Sequence, residues 1–128
     1  MKLGFIGTGN MGGALAKAAS KTDKGITILL ANRTAKKAER LAAEISGERN
    51  NSILVCDAGK AAAEADFLFL GVKPQMMEEM LASIKDILAG RTDIVLVTMA
   101  AGLSISGICE MLGAEFPVIR IMPNTPAA

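Results

Sequence analysis

The chain has 128 residues, about the length of one domain, of which 51% are hydrophobic and 21% are charged. This balance excludes an intrinsically disordered tail and predicts a globule with an aliphatic core. Fourteen Lys and Arg residues face thirteen Asp and Glu residues, and the chain has four Phe but no Trp or Tyr. Because basic residues are not in excess and aromatic residues are few, no nucleic-acid partner is expected.

Targeting and metal-binding signals are also missing from the sequence. The first residues run directly into a predicted strand, which leaves no room for a signal peptide, and no apolar run reaches the roughly 18 residues of a membrane helix. We therefore expect a cytoplasmic protein with no membrane partner. Cys56 and Cys109 match no zinc spacing and the chain has no His, so we expect no metal site and interpret each Cys as a small buried apolar residue.

Short apolar runs alternate along the chain with segments of helical period, a pattern typical of βαβ units around a parallel sheet. Most of these runs are apolar throughout, as strands covered on both faces should be. The predicted strands are Lys2–Ile6, Ile26–Leu30, Ser52–Val55, Phe67–Leu70, Ile94–Val97 and Val118–Ile121.

Five helices are predicted between the strands. The third is the short, Ala-rich stretch Ala61–Ala65, and the fifth begins at Ser104, whose hydroxyl is a suitable cap. The others, and the fifth beyond its cap, are indicated by apolar residues that recur at helical spacing. These residues are Met11, Ala14, Leu15 and Ala18; Ala38, Leu41, Ala42 and Ile45; Met77, Met80, Leu81, Ile84 and Leu88; and Ile105, Ile108 and Leu112.

A glycine motif of the form G-x-G-x-x-G follows the first strand and opens the first helix. In this setting the first glycine permits a tight turn, the second lets the backbone approach a pyrophosphate, and the third lets the helix pack against the sheet. The alternative is a purely structural turn. The motif favours a Rossmann-type, doubly wound α/β fold with a mainly parallel sheet and helices on both faces, forming one dinucleotide-binding domain over residues 1–128. Its residues are Gly7, Thr8, Gly9, Asn10, Met11 and Gly12.

The second strand is followed by Asn32, Arg33 and Thr34. Domains that bind NAD usually place a carboxylate here to accept from the ribose 2′-OH, and this chain has none. A guanidinium suits the 2′-phosphate, so we predict NADP as the cofactor, with NAD still possible. The alternative is a solvated helix start in which Lys36 and Lys37 are ordinary surface charge.

Three more segments are predicted at the same edge, because ligands of open α/β sheets bind at the carboxyl ends of the strands. Val72, Lys73 and Pro74 follow the fourth strand, although a loop lysine is usually only solvated. Ala100 and Ala101 follow the fifth and leave room for a flat ring, or simply form a turn into the next helix. A turn with two prolines follows the sixth, and its residues are Met122, Pro123, Asn124 and Thr125.

These residues resemble the pyrroline-5-carboxylate reductases, which reduce a cyclic imine to L-proline with NAD(P)H. The resemblance covers the whole chain and is most specific in Met122-Pro123-Asn124-Thr125-Pro126-Ala127. It implies that Gly7 to Met11 bind the pyrophosphate, Asn32 to Thr34 the 2′-phosphate, and Val72 to Pro74 the middle of the cofactor. Met122 to Pro126 would border the nicotinamide and an imino-acid substrate.

The chain departs from this family in two respects. The family often has a cofactor-contacting Asn just before the third helix, where this chain has Asp57-Ala58-Gly59. Its members also continue into a helical domain that forms the dimer and supplies most of the substrate site, and none of that domain is present here. Asp57, Asp66 and Asp93 are predicted to lie away from the ligand edge, so no catalytic residue is assigned.

Three functions therefore stay open at the level of sequence: the cofactor half of an imine reductase, the cofactor half of a β-hydroxyacid dehydrogenase, and a stand-alone NADP-binding module. The turn after the sixth strand favours the first over the second, since the two families diverge there. We expect the 128-residue chain by itself to lack reductase activity.

Overall fold

The computed structural model describes residues 1–7, 26–32, 35–45, 52–98 and 104–121. The predicted first helix, at Met11 to Ala18, lies outside these ranges. The strands are β1 (Lys2–Ile6), β2 (Thr27–Ala31), β3 (Ser52–Val55), β4 (Phe67–Leu70), β5 (Val95–Thr98) and β6 (Val118–Arg120); the helices are α1 (Ala35–Ile45), α2 (Ala58–Glu64), α3 (Pro74–Ala89) and α4 (Ile105–Leu112).

The six strands form one sheet in the order β3-β2-β1-β4-β5-β6, and every neighbouring pair is parallel. β1 lies at the centre, where Leu3 pairs with Ile28 on one side and with Phe67 on the other. The chain order reverses between β1 and β4, which makes this pair the topological switch point of the sheet. The predicted α/β Rossmann-type fold is confirmed. Observed strand ends differ from the predicted ones by one residue at β2, β5 and β6.

Helices cover both faces of the sheet. The larger buried cluster joins one face to α2, α3 and α4 and includes Leu68, Leu81 and Ile108. The smaller cluster joins the other face to α1 and includes Phe5 and Leu41. Strands buried between two helical layers are apolar on both sides, which is why the central runs lack alternation. At the outer strands, three apolar side chains are exposed: Leu54, Val55 and Ile119.

Methionine and aliphatic residues hold α3 against the sheet. Met77, Leu81, Ile84 and Leu88 are fully buried, and Met80 packs against them while partly exposed. Each buried side chain of this size contributes about 1.5–3 kcal/mol from burial. The apolar face predicted for this helix is therefore confirmed. None of the helices in the described ranges is long and apolar enough to span a membrane.

Two short helices begin at side-chain caps. Ser104 Oγ accepts from Gly107 N at 3.0 Å, which confirms the predicted cap of α4. The apolar spacing predicts that Ile105 is buried with Ile108 and Leu112, and this is wrong: its side chain, at the first residue of the helix, is 42% exposed. Asp57 caps α2 by accepting from Lys60 N at 2.7 Å, so the helix starts three residues before the predicted Ala61.

Glycine in the middle of β1 brings α2 unusually close to the sheet. A Cβ placed on Gly4 would lie 2.9 Å from both Ala65 Cβ and Leu68 Cδ1, and 3.5 Å from Ala61 Cβ. Small residues on both sides therefore let the helix rest almost on the strand. This contact fixes the depth at which α2 sits.

The side chain of Arg91 forms hydrogen bonds with the C-terminal end of α2. This side chain is 14% exposed and donates from Nη1 to Ala62 O at 3.0 Å and to Ala65 O at 2.6 Å. The guanidinium thus satisfies carbonyls that the end of a helix leaves unpaired. It also pairs with Asp93, at 3.2 Å, just before β5 begins.

Candidate functional site

The carboxyl ends of the strands form one continuous edge. Backbone hydrogen bonds run past the strand ends here: Gly7 N donates to Ala31 O at 2.8 Å, and Gly71 N donates to Ile6 O at 2.7 Å. Gly7 and Gly71 therefore extend the central strands by one residue each, side by side at the switch point. Ligands of open parallel sheets bind in the crevice at such a point.

Gly7 has a backbone conformation and surroundings that require glycine. Its φ is +89°, and a Cβ there would lie 2.7 Å from Gly71 C, 2.8 Å from Gly71 O and 2.9 Å from Val72 N. The first turn after β1 and the turn after β4 are thus in backbone contact. Such a turn presents peptide groups rather than side chains, which fits a bound pyrophosphate.

The turn after β4 leads directly into α3. Val72 is half-buried, and Lys73 is exposed and occupies the cap position without a side-chain hydrogen bond to the helix. Pro74 takes the first helical position, where its missing N–H costs nothing. The 16-residue α3 therefore directs its N-terminus, with the positive end of its dipole, at the carboxyl edge.

The ends of β2 and β3 lie beside each other at this edge. Leu30 is in register with Val55, and Cys56 N donates to Leu30 O at 2.9 Å. Half-buried Asn32 directly follows β2, and Asp57 follows β3 by two residues, at the same edge. The prediction that Asp57 lies away from the ligand edge is therefore wrong, because it follows the end of a strand rather than preceding one.

The other two carboxylates lie at the opposite edge, as predicted. Asp66 Oδ2 accepts from Lys2 N at 2.8 Å, at the start of β1, and Asp93 precedes β5. Lys2 Nζ also pairs with Glu64 at 3.0 Å, and this hydrogen bond lowers the pKa of the Glu64 carboxyl. These charges stabilise the amino edge and are remote from the switch point.

Cys56 is partly buried beside Asp57 at the carboxyl edge, rather than enclosed in the core as the sequence suggested. Burial raises the pKa of its thiol, and the negative charge of Asp57 raises it further. The thiol is therefore less reactive than an exposed cysteine. Within the described ranges, no group of three Cys, Asp or Glu side chains is placed to hold a metal ion.

The remaining strand ends continue the edge outward. Thr98 closes β5 and is fully buried, and its carbonyl accepts from Ile121 N at 2.9 Å. Sequence patterns did not assign Cys56 and Asp57 to this edge, although the end of a parallel strand was a usable signal for both. The predicted site residues that lie outside the described ranges are Thr8, Gly9, Asn10, Met11, Gly12, Arg33, Thr34, Ala100, Ala101, Met122, Pro123, Asn124 and Thr125.

A family model and several curated proteins match this sequence. Residues 2–102 match the family model described as "NADP oxidoreductase coenzyme F420-dependent". A pyrroline-5-carboxylate reductase from Corynebacterium melassecola is 36% identical over 97% of this chain and 45% of its own length. One from Pisum sativum is 33% identical over 98% of this chain and 44% of its own length. The chain thus spans about half the length of the curated relatives it matches.

Solved structures agree with the sequence comparison. A pyrroline-5-carboxylate reductase from Coxiella burnetii superposes with a TM-score of 0.78 at 28% identity, over 97% of this chain and 44% of that one. The Plasmodium falciparum pyrroline carboxylate reductase with NADP bound gives 0.70 at 27% identity, over 98% and 43%. A Mycobacterium tuberculosis shikimate dehydrogenase, at 21% identity and a TM-score of 0.67, shares the fold alone; it covers 93% of this chain and 43% of its own. This chain therefore belongs to the NADP oxidoreductase family and matches the N-terminal, NADP-binding half of pyrroline-5-carboxylate reductases.

Proposed function

We propose that this chain is the cofactor-binding half of an enzyme that reduces 1-pyrroline-5-carboxylate to L-proline with NADPH, a step of proline biosynthesis. The observation that carries the proposal is the similarity of nearly the whole chain to reductases of this name, on a sheet whose switch point suits a dinucleotide. We further propose that the protein acts in the cytoplasm. A small imino acid would be its substrate.

The central turns would hold the pyrophosphate. Gly7 to Met11 would lie against the phosphates, since the Gly7 turn has no room for a side chain. The N–H of Gly7 is already donated to Ala31 O, so the backbone N–H groups for the phosphates would come from the residues after it. Val72 to Pro74 would lie against the middle of the cofactor, because Val72 N is 2.9 Å from the position of a Cβ on Gly7. The dipole of α3 would add to the attraction for the diphosphate.

The outer parts of the edge would hold the two ends of the cofactor. Asn32 to Thr34 would bind the adenosine 2′-phosphate, at the end of β2. Ala100 and Ala101 would border the nicotinamide, whose bound form supplies a hydride. Met122 to Thr125, after β6, would border the imino acid. Parallel pairing supports this arrangement, because it sets the end of β6 next to that of β5.

Residues 1–128 would form one dinucleotide-binding domain. By analogy with the family, a second, helical domain would supply the dimer interface and most of the substrate site. Hydride transfer needs the imine carbon held at about 3–3.5 Å from the donor in a dry site. Within the described ranges, the exposed charged side chains at the carboxyl ends of the strands are Lys73 and Arg120, which attract anions, and Asp57, which repels them. None of these side chains encloses a substrate.

The 128-residue chain by itself is therefore expected to bind NADPH without measurable turnover. The assay follows NADPH oxidation with pyrroline-5-carboxylate at high protein concentration. It is then repeated after the C-terminal half of a relative is added as a separate chain. Turnover by the short chain alone near about 10 per second would contradict the proposed division of the site.

The chain is also expected to bind NADPH tenfold to a hundredfold more tightly than NADH. Charge-assisted pairing of Arg33 with the 2′-phosphate contributes roughly 1.5–3 kcal/mol, and the end of β2 has no carboxylate to accept from a free 2′-OH. Calorimetric titration of both nucleotides measures the ratio. Arg33→Ala should abolish the preference, whereas Arg40→Ala, an exposed site on α1, should keep it. Equal affinities in the unmodified chain would overturn the assignment of the 2′-phosphate site.

A further inference from the structure

A carboxylate lies on the same edge of the sheet as the residues proposed to bind the 2′-phosphate. β3 pairs with β2 up to Leu30 and Val55, and Cys56 N still donates to Leu30 O at 2.9 Å. Asp57 is the next residue, so it lies at the carboxyl end of the strand that neighbours β2. Carboxylates near the end of β2 accept from a ribose 2′-OH and repel a 2′-phosphate.

The position of this charge is fixed by the local structure. Asp57 Oδ1 accepts from Lys60 N at 2.7 Å, which locks the side chain at the start of α2. The helix cannot shift easily, because Ala61 and Ala65 rest on the glycine of β1 and Arg91 holds its last carbonyls.

Among the described residues, no basic side chain forms a salt bridge with Asp57. The nearest basic side chain of α2 is Lys60, whose ammonium instead lies 3.9 Å from Glu64 Oε2. Asp57 itself is exposed and takes part in the cap alone within these ranges. The charge of an exposed carboxylate with no salt-bridge partner in the described part of the chain acts on other groups at the edge through its field.

The negative charge of Asp57 also acts on the thiol of the preceding residue, Cys56. Burial is the main cause of the raised pKa of this thiol, and the second cause is the charge of Asp57. A negative charge that disfavours a thiolate at the carboxyl edge will also disfavour a phosphate dianion placed there.

We propose that Asp57 is a specificity-determining residue that lowers the preference of this site for a 2′-phosphorylated dinucleotide over its unphosphorylated counterpart. The inference rests on the proposed function. It gives Asp57, at the end of β3, a role opposite to the one proposed for Arg33, which follows β2 in the sequence. The two charges together set the ratio of NADP to NAD affinity.

The test is Asp57→Asn, which keeps the capping oxygen and removes the charge, since Asn and Asp cap helices about equally well. Titration of NADP⁺ and NAD⁺ into the 128-residue chain should show NADP⁺ affinity raised about threefold to tenfold and NAD⁺ affinity changed less than twofold. The gain should shrink at high salt, because salt screens an exposed charge. Asp57→Ser, a second uncharged cap, should behave in the same way.

Asp86→Asn is the matched control, because it removes an exposed carboxylate from the far half of α3 and should leave both affinities unchanged. The rate of Cys56 alkylation against pH, in a Cys109→Ser background, reports the lost charge without any ligand, and its midpoint should fall in Asp57→Asn. Unchanged affinities in both variants, with the alkylation midpoint lowered, would overturn the inference while leaving the proposed function intact. Failure of the unmodified chain to bind either dinucleotide would instead overturn the proposed function, and the inference with it.

Discussion

Gly7→Ala is expected to lower the free energy of unfolding by about 2–5 kcal/mol and to weaken dinucleotide binding sharply. A residue with a Cβ pays about 1–2 kcal/mol in a left-handed conformation, and φ at Gly7 is +89°. The added methyl would also lie 2.7 Å from the backbone of Gly71, and overpacking of this kind costs a further 1–3 kcal/mol. Chemical denaturation measures the first effect and NADPH titration the second.

Gly90→Ala is the matched control for this substitution. Gly90 ends α3 with φ of −87°, and the nearest atom to an added Cβ is Ile87 O at 3.8 Å. The alanine variant should therefore differ from the unmodified chain by less than about 1 kcal/mol. If Gly7→Ala proved as stable as Gly90→Ala, the close apposition of the turns after β1 and β4 would be wrong.

Gly4→Val is expected to destabilise the chain by about 3 kcal/mol, with Gly4→Ala intermediate. The branched side chain would meet Ala65 and Leu68, both within 2.9 Å of the Cβ, and buried neighbours cannot retreat without moving α2. Glycine in a strand is otherwise a weak choice, so a substitution without a clash would stabilise. Denaturation midpoints of the two variants measure the graded loss.

The control for this series is Gly59→Ala, also in α2. The nearest atom to its added Cβ is Ile87 Cδ1 at 3.2 Å, which is the flexible end of a side chain. Alanine also favours helix by up to about 1 kcal/mol over glycine. A stabilised Gly59→Ala beside a destabilised Gly4→Ala would locate the close contact at β1. Stabilisation by both would contradict it.

Most of the fold could be predicted from sequence because local patterns and long-range packing agree. β1, β3 and β4 have their predicted bounds, since each apolar run is bounded by residues that do not fit a buried strand. The cap at Ser104 was also predictable, because it depends on a hydroxyl three residues from the N–H that it accepts from. Gly7 stands where the glycine motif predicts a tight turn.

The errors arise where the outcome depends on neighbours that periodicity does not reveal. Ile105 fits the apolar spacing of α4, but it is the first residue of a short helix and its side chain stays exposed while Ile108 and Leu112 are buried. Asp57 was predicted to lie away from the ligand edge because it is near a helix start. In a βαβ unit the residue that caps the helix also follows the end of a strand, and this places Asp57 at the carboxyl edge. The role of Arg91 depends on carbonyls 26 and 29 residues away, which no local pattern connects to it.

Arg91 and its carbonyl partners lie at the amino edge of the sheet, on the far side from the strand ends that would hold a cofactor. The hydrogen bonds from Arg91 to the end of α2 are therefore distant from the residues that would determine the preference between NADP and NAD. A designer who wished to exchange one cofactor for another could alter Asn32, Arg33 and Asp57 while the anchoring guanidinium stayed untouched. A change of ligand preference at the carboxyl edge would therefore leave the Arg91 contacts at the amino edge in place.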